Sequence, residues 1–145
     1  MANPQITQGT LNRLLTQLTF ASYPALNLSS GYMSKQFATM SFDGAPVGQI
    51  QTGTGVVNSP EPYVMASLQF GVLRTQALGA AWLAQMQLYS VLGTVTGYSD
   101  SSVYPSSTIV NASITGFDPG AWDGTDPVIK VTVTGVYYIN NSLWG

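Results

Sequence analysis

Apolar and polar residues alternate along residues 63–73, and the alternation then gives way to a helical pattern. The apolar set is Val64, Ala66, Leu68, Phe70 and Val72. The interleaved positions are polar in the middle of the stretch, and a period of two residues predicts a strand with one buried face. Residues 75–92 contain no proline and many good helix formers, and Gly93 follows as a stop signal. We therefore predict a helix over 75–92.

The predicted helix carries no charged side chain. Its apolar positions cover about half of a helical wheel, whereas a helix on the surface of a monomer normally has a charged outer face. We therefore expect this helix to be covered on more than one side. The residues predicted to pack it against the body of the domain are Leu78, Trp82, Met86 and Tyr89.

Shorter alternating or β-branched runs predict further strands. One strand ends at Phe20, and others occupy residues 34–42, 94–98, 107–115 and 128–139. Residues 11–20 also fit a helical turn, but Tyr23-Pro24 and Asn27 follow with loop chemistry and favour the strand. The pattern predicts a single α+β, mainly β, antiparallel domain over residues 1–145, with residues 1–10 flexible or ordered only on assembly.

Residues 45–62 read APVGQIQTGTGVVNSPEP, a long stretch in which glycines separate the apolar residues and two prolines stand near the end. A compact domain rarely carries a long structureless loop without a function. We predict an extended arm or hairpin at about 45–60; an ordinary edge hairpin with a loop is the alternative. We hypothesise that the arm contacts a neighbouring protomer or ring. Its candidate contact residues are Val47, Ile50, Thr52, Gly53, Thr54, Gly55, Val56 and Val57.

The composition favours a surface that is buried by copies of the same chain. Hydrophobic residues make up 45% of the 145 residues and charged residues 7%, against roughly 25% charged in ordinary soluble proteins. With net charge −2 and four basic residues, the chain has no basic nucleic-acid footprint. No apolar run approaches the ~18 residues of a membrane span, and no secretory signal begins the sequence. An ordinary low-charge monomer is the alternative.

The sequence offers little for catalysis. It contains no histidine and no cysteine, Glu61 is its only glutamate, and no phosphate-binding loop is present. We therefore predict a protein that is not an enzyme and has no cofactor. Asp118, Asp123 and Asp126 could surround a calcium ion, but Asx-turns explain them better, so we predict no metal. The three tryptophans suit sugar or base stacking, and equally a core or an interface.

Several stretches in this order resemble the inner tail tube proteins of contractile-tailed bacteriophages. They are LNRLLTQLTFASYPALNL near the start, TGTGVVNSPEPY at residues 52–63, VLRTQALGAAWLAQMQ at residues 72–87, LGTVTGYSDSS, and GTDPVIKVTVTGVYYIN near the end. The similarity extends from about Leu11 to Asn140. Gly71 and Gly79 depart from the family pattern, where larger residues are expected, and this predicts looser local packing.

The resemblance implies a β-sandwich or barrel protomer flanked by one helix, closed into six-membered rings that stack as a tube. Such a tube is a virion component, assembled in the host cytoplasm, through which phage DNA is ejected without specific binding. The resemblance also implies contacts with tail sheath, tape measure, baseplate and tail terminator proteins, and no membrane. Polar uncharged residues are candidates for lining the lumen, namely Ser67, Gln69, Thr132 and Thr134.

Three alternatives stay open. In the same fold, the chain could form the inner tube of a phage-derived injection machine, such as a tailocin or a secretion-type tube. From a different class, it could be a monomeric carbohydrate-binding β-sandwich, in which tryptophan and tyrosine rings would stack on sugars. A hydrolase is the third, and the missing general base argues against it.

Overall fold

A computed structural model describes residues 8–145. At positions 34, 36 and 37 within this range it describes the backbone but not the side chain. The prediction for residues 1–10 thus falls mostly outside the described part. In the described part, the strands and the helix follow in this order: β1 (Gln17–Phe20), β2 (Met33–Asp43), β3 (Val47–Gln51), β4 (Val56–Pro60), β5 (Tyr63–Leu73), α1 (Ala77–Leu88), β6 (Val91–Tyr98), β7 (Ser107–Asp118) and β8 (Val128–Tyr138). Short 3-10 helices occupy Pro24–Leu26, Ser30–Tyr32 and Asn141–Trp144.

The alternating patterns locate the strands well. The strand predicted at residues 63–73 has these bounds in the structure, and β1 ends at Phe20 as predicted. The predicted strand at 107–115 is confirmed but continues to Asp118. The arm prediction is also confirmed, since β3 and β4 form a two-stranded hairpin of their own.

The helix is shorter than predicted, and Gly93 is not its stop signal. α1 ends at Leu88, because the residues that follow pair with the sheet. Ser90 accepts a hydrogen bond from the Ile114 amide at 2.8 Å, and Val91 pairs with Ser113. Gly93 lies inside β6, with φ of +80° at an irregularity in the β6–β7 register. The sheet therefore takes residues that helix propensity alone would leave in the helix.

Six strands form one antiparallel sheet in the order β1-β6-β7-β8-β5-β2. The sheet curls into a half-barrel, and the predicted α+β, mainly β class is confirmed. The curl brings β6 close to β2, although three strands lie between them. Met40 Cε of β2 lies 3.5 Å from the position that a Cβ on Gly97 of β6 would take. Leu18 Cδ2, from the neighbouring strand β1, lies at the same distance. The resemblance implied a β-sandwich or a barrel, and the curled sheet is closer to a barrel.

The core fills one face of the sheet and is closed by α1. Alternate residues of β5 from Val64 to Val72 are buried there, as the period of two predicts. Trp82 is fully buried, and its ring lies edge-on to Phe20 and Phe70 at centroid distances of 4.9 and 5.2 Å. This one aromatic side chain therefore joins α1 to both β1 and β5.

At Gly79 the helix lies very close to the end of β5. A Cβ on this residue would lie 2.9 Å from the Leu73 carbonyl oxygen and 3.2 Å from Ile129 Cδ1. The expectation that Gly79 loosens the packing is therefore wrong. The glycine allows α1 to approach the end of β5 more closely than any larger residue would. Gly71 is buried within β5.

Candidate assembly surfaces

The antiparallel pairing gives the sheet two distinct ends. Tyr63 pairs with Tyr138, so the start of β5 and the end of β8 lie together, and the hairpin of β3 and β4 extends from there. We call this the arm end and the hairpin the arm. Asp118 pairs with Lys130 at the opposite end, where α1 follows β5; we call this the helix end. A chain with different surfaces at its two ends can associate head to tail.

The arm is a regular hairpin that stands apart from the main sheet. Its ladder runs from Val47 opposite Pro60 to Gln51 opposite Val56. Thr52 closes the turn, because its amide donates to the Gly55 carbonyl at 2.7 Å and its hydroxyl accepts from the Gly55 amide at 3.1 Å. Gly53 and Thr54 form the tip between them. With five residues per strand at about 3.3 Å each, the ladder is roughly 17 Å long.

The arm exposes apolar side chains that its own fold does not cover. Ile50 is 59% exposed, Val57 54% and Val56 52%. Ile50 pairs with Val57, so both lie on one face of the arm, while Val56 lies on the other. An isolated two-stranded hairpin is at best marginally stable in water, and residues 44–60 contain no charged side chain. The arm therefore has the chemistry of a contact surface.

Only one narrow side of helix α1 packs against the core. Leu78 is partly buried against the core beside the fully buried Trp82, and Met86 is half-buried. Tyr89 differs from the sequence prediction, because it lies beyond the helix and is 58% exposed. Leu83 and the 81%-exposed Leu88 lie on the uncovered face. This face has neither a charged residue nor a covering layer in residues 8–145.

The sheet face opposite the core is lined by hydroxyl and amide side chains. The four candidate lumen residues lie together on it, because Ser67 pairs with Thr134 and Gln69 with Thr132. We call this surface the polar face. Sequence reasoning missed its continuation on the flanking strands, which adds Thr39, Ser41 and Ser113 in register with these four. The signal was present as alternating hydroxyl residues, but only the register shows that they share one face.

The charged residues of the polar face lie near its two ends. Asp43 pairs with Met65 at the arm end, and Lys130 pairs with Gly71 and Asp118 at the helix end. The middle of the face is uncharged in the described strands. A phosphate-bearing polymer that passes along this surface would meet hydrogen-bonding groups but no strong ionic attraction.

The two edge strands leave the half-barrel open. A cleft of about 620 Å³ lies between them, lined on one side by Ala38, Met40 and Phe42 of β2 and on the other by Leu18 and Tyr98. β1 is partly covered by an isolated bridge between Leu18 and Leu28. β2 is eleven residues long and pairs only with β5 in the described chain. Unpaired edges of this length are available for pairing with another strand.

The aspartate-rich loop after β7 is organised by turns. Asp118, Asp123 and Asp126 each accept a hydrogen bond from the backbone amide two residues ahead, which is the predicted Asx-turn. The Thr125 hydroxyl also donates to Asp123 and lowers the pKa of that carboxyl group.

Arg74 fixes the same loop to the helix end. Its guanidinium donates to the carbonyl oxygens of Pro119, at 3.1 Å, and of Asp126. Across residues 8–145, no three acidic, histidine or cysteine side chains gather where a metal ion could bind. In the same residues, no helix is long and apolar enough to cross a bilayer.

Two solved structures share this fold. The first is the tail of an empty GTA (gene transfer agent) particle, refined with helical and C6 symmetry, with a TM-score of 0.56, 10% identity, and coverage of 88% of this chain and 96% of that chain. The second is the anti-feeding prophage cap, which terminates the AFP tube, with a TM-score of 0.52, 17% identity, and coverage of 94% and 97%. At these identities the likeness concerns the fold.

No protein-family model matches the chain, and no curated protein matches its sequence. The structural likeness nevertheless covers nearly the whole chain and includes a tail and a tube cap. The fold is therefore of the tail-tube type, and the resemblance seen in the sequence is confirmed at the level of the fold.

Proposed function

We propose that this chain is a structural subunit of a tail tube, without enzymatic activity. Copies would associate side by side into six-membered rings, and rings would stack head to tail into a tube through which phage DNA passes. The observation that carries the proposal is the arm, a protruding uncharged hairpin with Ile50, Val56 and Val57 more than half exposed. An exposed apolar hairpin of this kind needs a partner surface.

Ring closure would use the open edges of the half-barrel. When an edge strand of one copy pairs with that of the next, backbone donors and acceptors that face water in the protomer form ladder hydrogen bonds. Six copies would then share one continuous barrel, which has no edges left. The uncharged outer face of α1 would be covered in the same assembly, and this accounts for a helix without a charged side chain.

The polar face would line the lumen. Each contact that neutralises a phosphate releases counterions and adds affinity, so a lumen built for passage should carry few cations. Ser67, Gln69, Thr132 and Thr134 would offer the moving polymer only weak and exchangeable hydrogen bonds. Of the four basic residues in the sequence, Lys130 lies on this face, near the helix end, where it stands opposite Asp118 in the strand register.

Deletion of residues 48–55 tests the proposal. The deletion removes Ile50, most of β3 and the arm tip, so the hairpin cannot form, but it leaves the core. We therefore expect folded protomers that do not stack, while the full chain forms rings or tubes. Negative-stain electron microscopy gives the assembly, and light scattering gives the mass. The double substitution Ile50→Ser and Val57→Ser is the sharper variant, because it keeps the hairpin length and removes only the apolar pair.

Two outcomes would contradict the proposal. Tubes of normal length from the deletion variant would show that the arm makes no required contact. A single-protomer mass for the concentrated full chain, with a change in tryptophan fluorescence on adding glycans, would favour the monomeric carbohydrate-binding alternative.

The proposed partners are other copies of the chain, and then sheath, tape measure, baseplate and tail terminator proteins at the surfaces and ends of the tube. The proposed location is the tail of a virion assembled in the host cytoplasm. A tube of a phage-derived injection machine would have the same protomer. Purified particles separate the two, because a phage tail joins a DNA-filled capsid and an injection machine does not.

A further inference from the structure

The chain that follows β8 crosses the base of the arm. The carboxamide nitrogen of Asn140 donates two hydrogen bonds, to the Pro46 carbonyl oxygen at 3.0 Å and to the Glu61 carbonyl oxygen at 2.8 Å. Pro46 precedes β3 and Glu61 follows β4, so one side-chain amide connects the entry strand of the arm to its exit strand. The Glu61 amide also donates to the Pro46 carbonyl at 2.9 Å.

A second set of contacts fixes the same region. The Ile139 amide donates to the Pro62 carbonyl at 3.2 Å, and the Trp144 indole N–H points to the same oxygen at 3.4 Å. The Trp144 ring lies edge-on to Tyr138, with centroids 5.5 Å apart and planes at 88°. We call residues 139–144 the brace. Its contacts join the end of β8 to the start of β5 beneath the arm.

The backbone of Asn140 explains why an asparagine stands at this position. Its φ of 49° and ψ of 54° lie in the left-handed region, which turns the chain from β8 into the 3-10 helix Asn141–Trp144. Asparagine tolerates this conformation better than most residues. The same residue thus makes the turn and presents both amide hydrogens to the arm.

The arm needs such a support, because the main sheet does not continue into it. The β2–β5 ladder ends at Asp43 opposite Met65, and the arm ladder starts at Val47 opposite Pro60. Gly44, with φ of +92°, lies in the break. Two short segments, residues 44–46 and residues 61–62, connect the arm to the main sheet. The brace holds these two segments together, because Asn140 is bonded to one residue of each.

We propose that Asn140 is a positioning residue that sets the direction of the arm, so that the arm meets a second copy of this chain in one orientation. The inference rests on the proposed contact between the arm and another copy. The direction of the arm itself can be measured in the single protomer, without any assembly.

Asn140→Asp is the decisive variant, because it exchanges the NH₂ group for oxygen at nearly constant shape. The carboxylate has no hydrogen to donate and would face two carbonyl oxygens, so both bonds to the arm base are lost. The matched control is Asn111→Asp. Asn111 also has positive φ, at 54°, and its side chain makes no hydrogen bond in the described structure.

Spin-label distances measure the arm direction directly. The chain has no cysteine, so labels can be attached through Thr54→Cys at the arm tip and Thr75→Cys at the helix end. Labelled chains are diluted with unlabelled ones. We expect one narrow distance peak in the otherwise unchanged chain and in Asn111→Asp, and loss of that peak to a broad distribution in Asn140→Asp. A broad distribution in all three, or a narrow one in all three, would overturn the proposal.

Assembly and melting complete the test. We expect Asn140→Asp to lose tubes in negative stain while its Tm falls by about 5 °C or less, because the affected bonds lie at the surface. If arm deletion stops stacking but Asn140→Asp forms normal tubes, the brace proposal fails and the proposed function stands. If arm deletion leaves stacking intact, the proposed contact of the arm fails, and the distance measurement alone decides whether Asn140 sets the arm direction.

Discussion

Gly79→Ala tests the close packing of α1 against the sheet, because two effects of this substitution oppose each other. Replacing glycine by alanine in a helix normally stabilises a protein by up to about 1 kcal/mol. Here the added Cβ would lie 2.9 Å from the Leu73 carbonyl oxygen and 3.2 Å from Ile129 Cδ1. The first contact is with the backbone, so α1 must move away from β5 to relieve it.

The magnitudes favour destabilisation. Adding a methyl group to a well-packed site costs about 1–3 kcal/mol, and the shift of the helix also disturbs Trp82, which is packed on Phe20 and Phe70. With the gain in helix propensity subtracted, we expect a net loss of about 1 kcal/mol, or roughly 2–4 °C in Tm for a chain of this size.

Urea unfolding of the single protomer measures this loss. The protein must be dilute enough to prevent assembly, because association adds apparent stability by mass action. Ala84→Gly on the exposed side of α1 is the control, and should cost about 1 kcal/mol through propensity alone. Ile129→Val removes the Cδ1 atom and thus one of the two contacts. In the Ile129→Val background, Gly79→Ala should therefore cost less than in the otherwise unchanged chain, and the difference is the coupling energy between the two sites. An increase in stability with Gly79→Ala alone would refute the close approach.

Two further predictions concern the same helix. Trp82→Ala should lower the free energy of unfolding by about 3–5 kcal/mol. Trp82→Phe should cost clearly less, because it keeps one ring and removes an indole N–H that has no partner in the described structure. Urea unfolding measures both variants, and equal losses would contradict this explanation. Leu88→Glu should change the protomer's stability by about 0.5 kcal/mol or less, because the side chain is 81% exposed, but should prevent tubes in negative stain. Normal tubes from this variant would show that the outer face of α1 stays uncovered.

The strands, the arm and the uncharged helix can be recognised from the order of residues alone. Strand β5 follows directly from its period of two, because alternate side chains of a strand must point to opposite faces. The arm follows from apolar residues that are separated by glycines and followed by two prolines, and the aspartate turns follow from Asx chemistry. These features depend on residues that are near one another in the chain, so local pattern is sufficient to identify them.

The end of α1, the role of Gly79 and the support of the arm depend on residues that are distant in the chain, so they become visible only in the folded protein. The helix ends at Leu88 rather than Leu92, because pairing of Val91 with Ser113 outweighs helix propensity. Gly79 could be interpreted only once Leu73 and Ile129 were placed beside it. The bonds from Asn140 to the arm base join residues 94 and 79 positions apart. No local pattern encodes such contacts, because they arise where the curled sheet brings separate segments together.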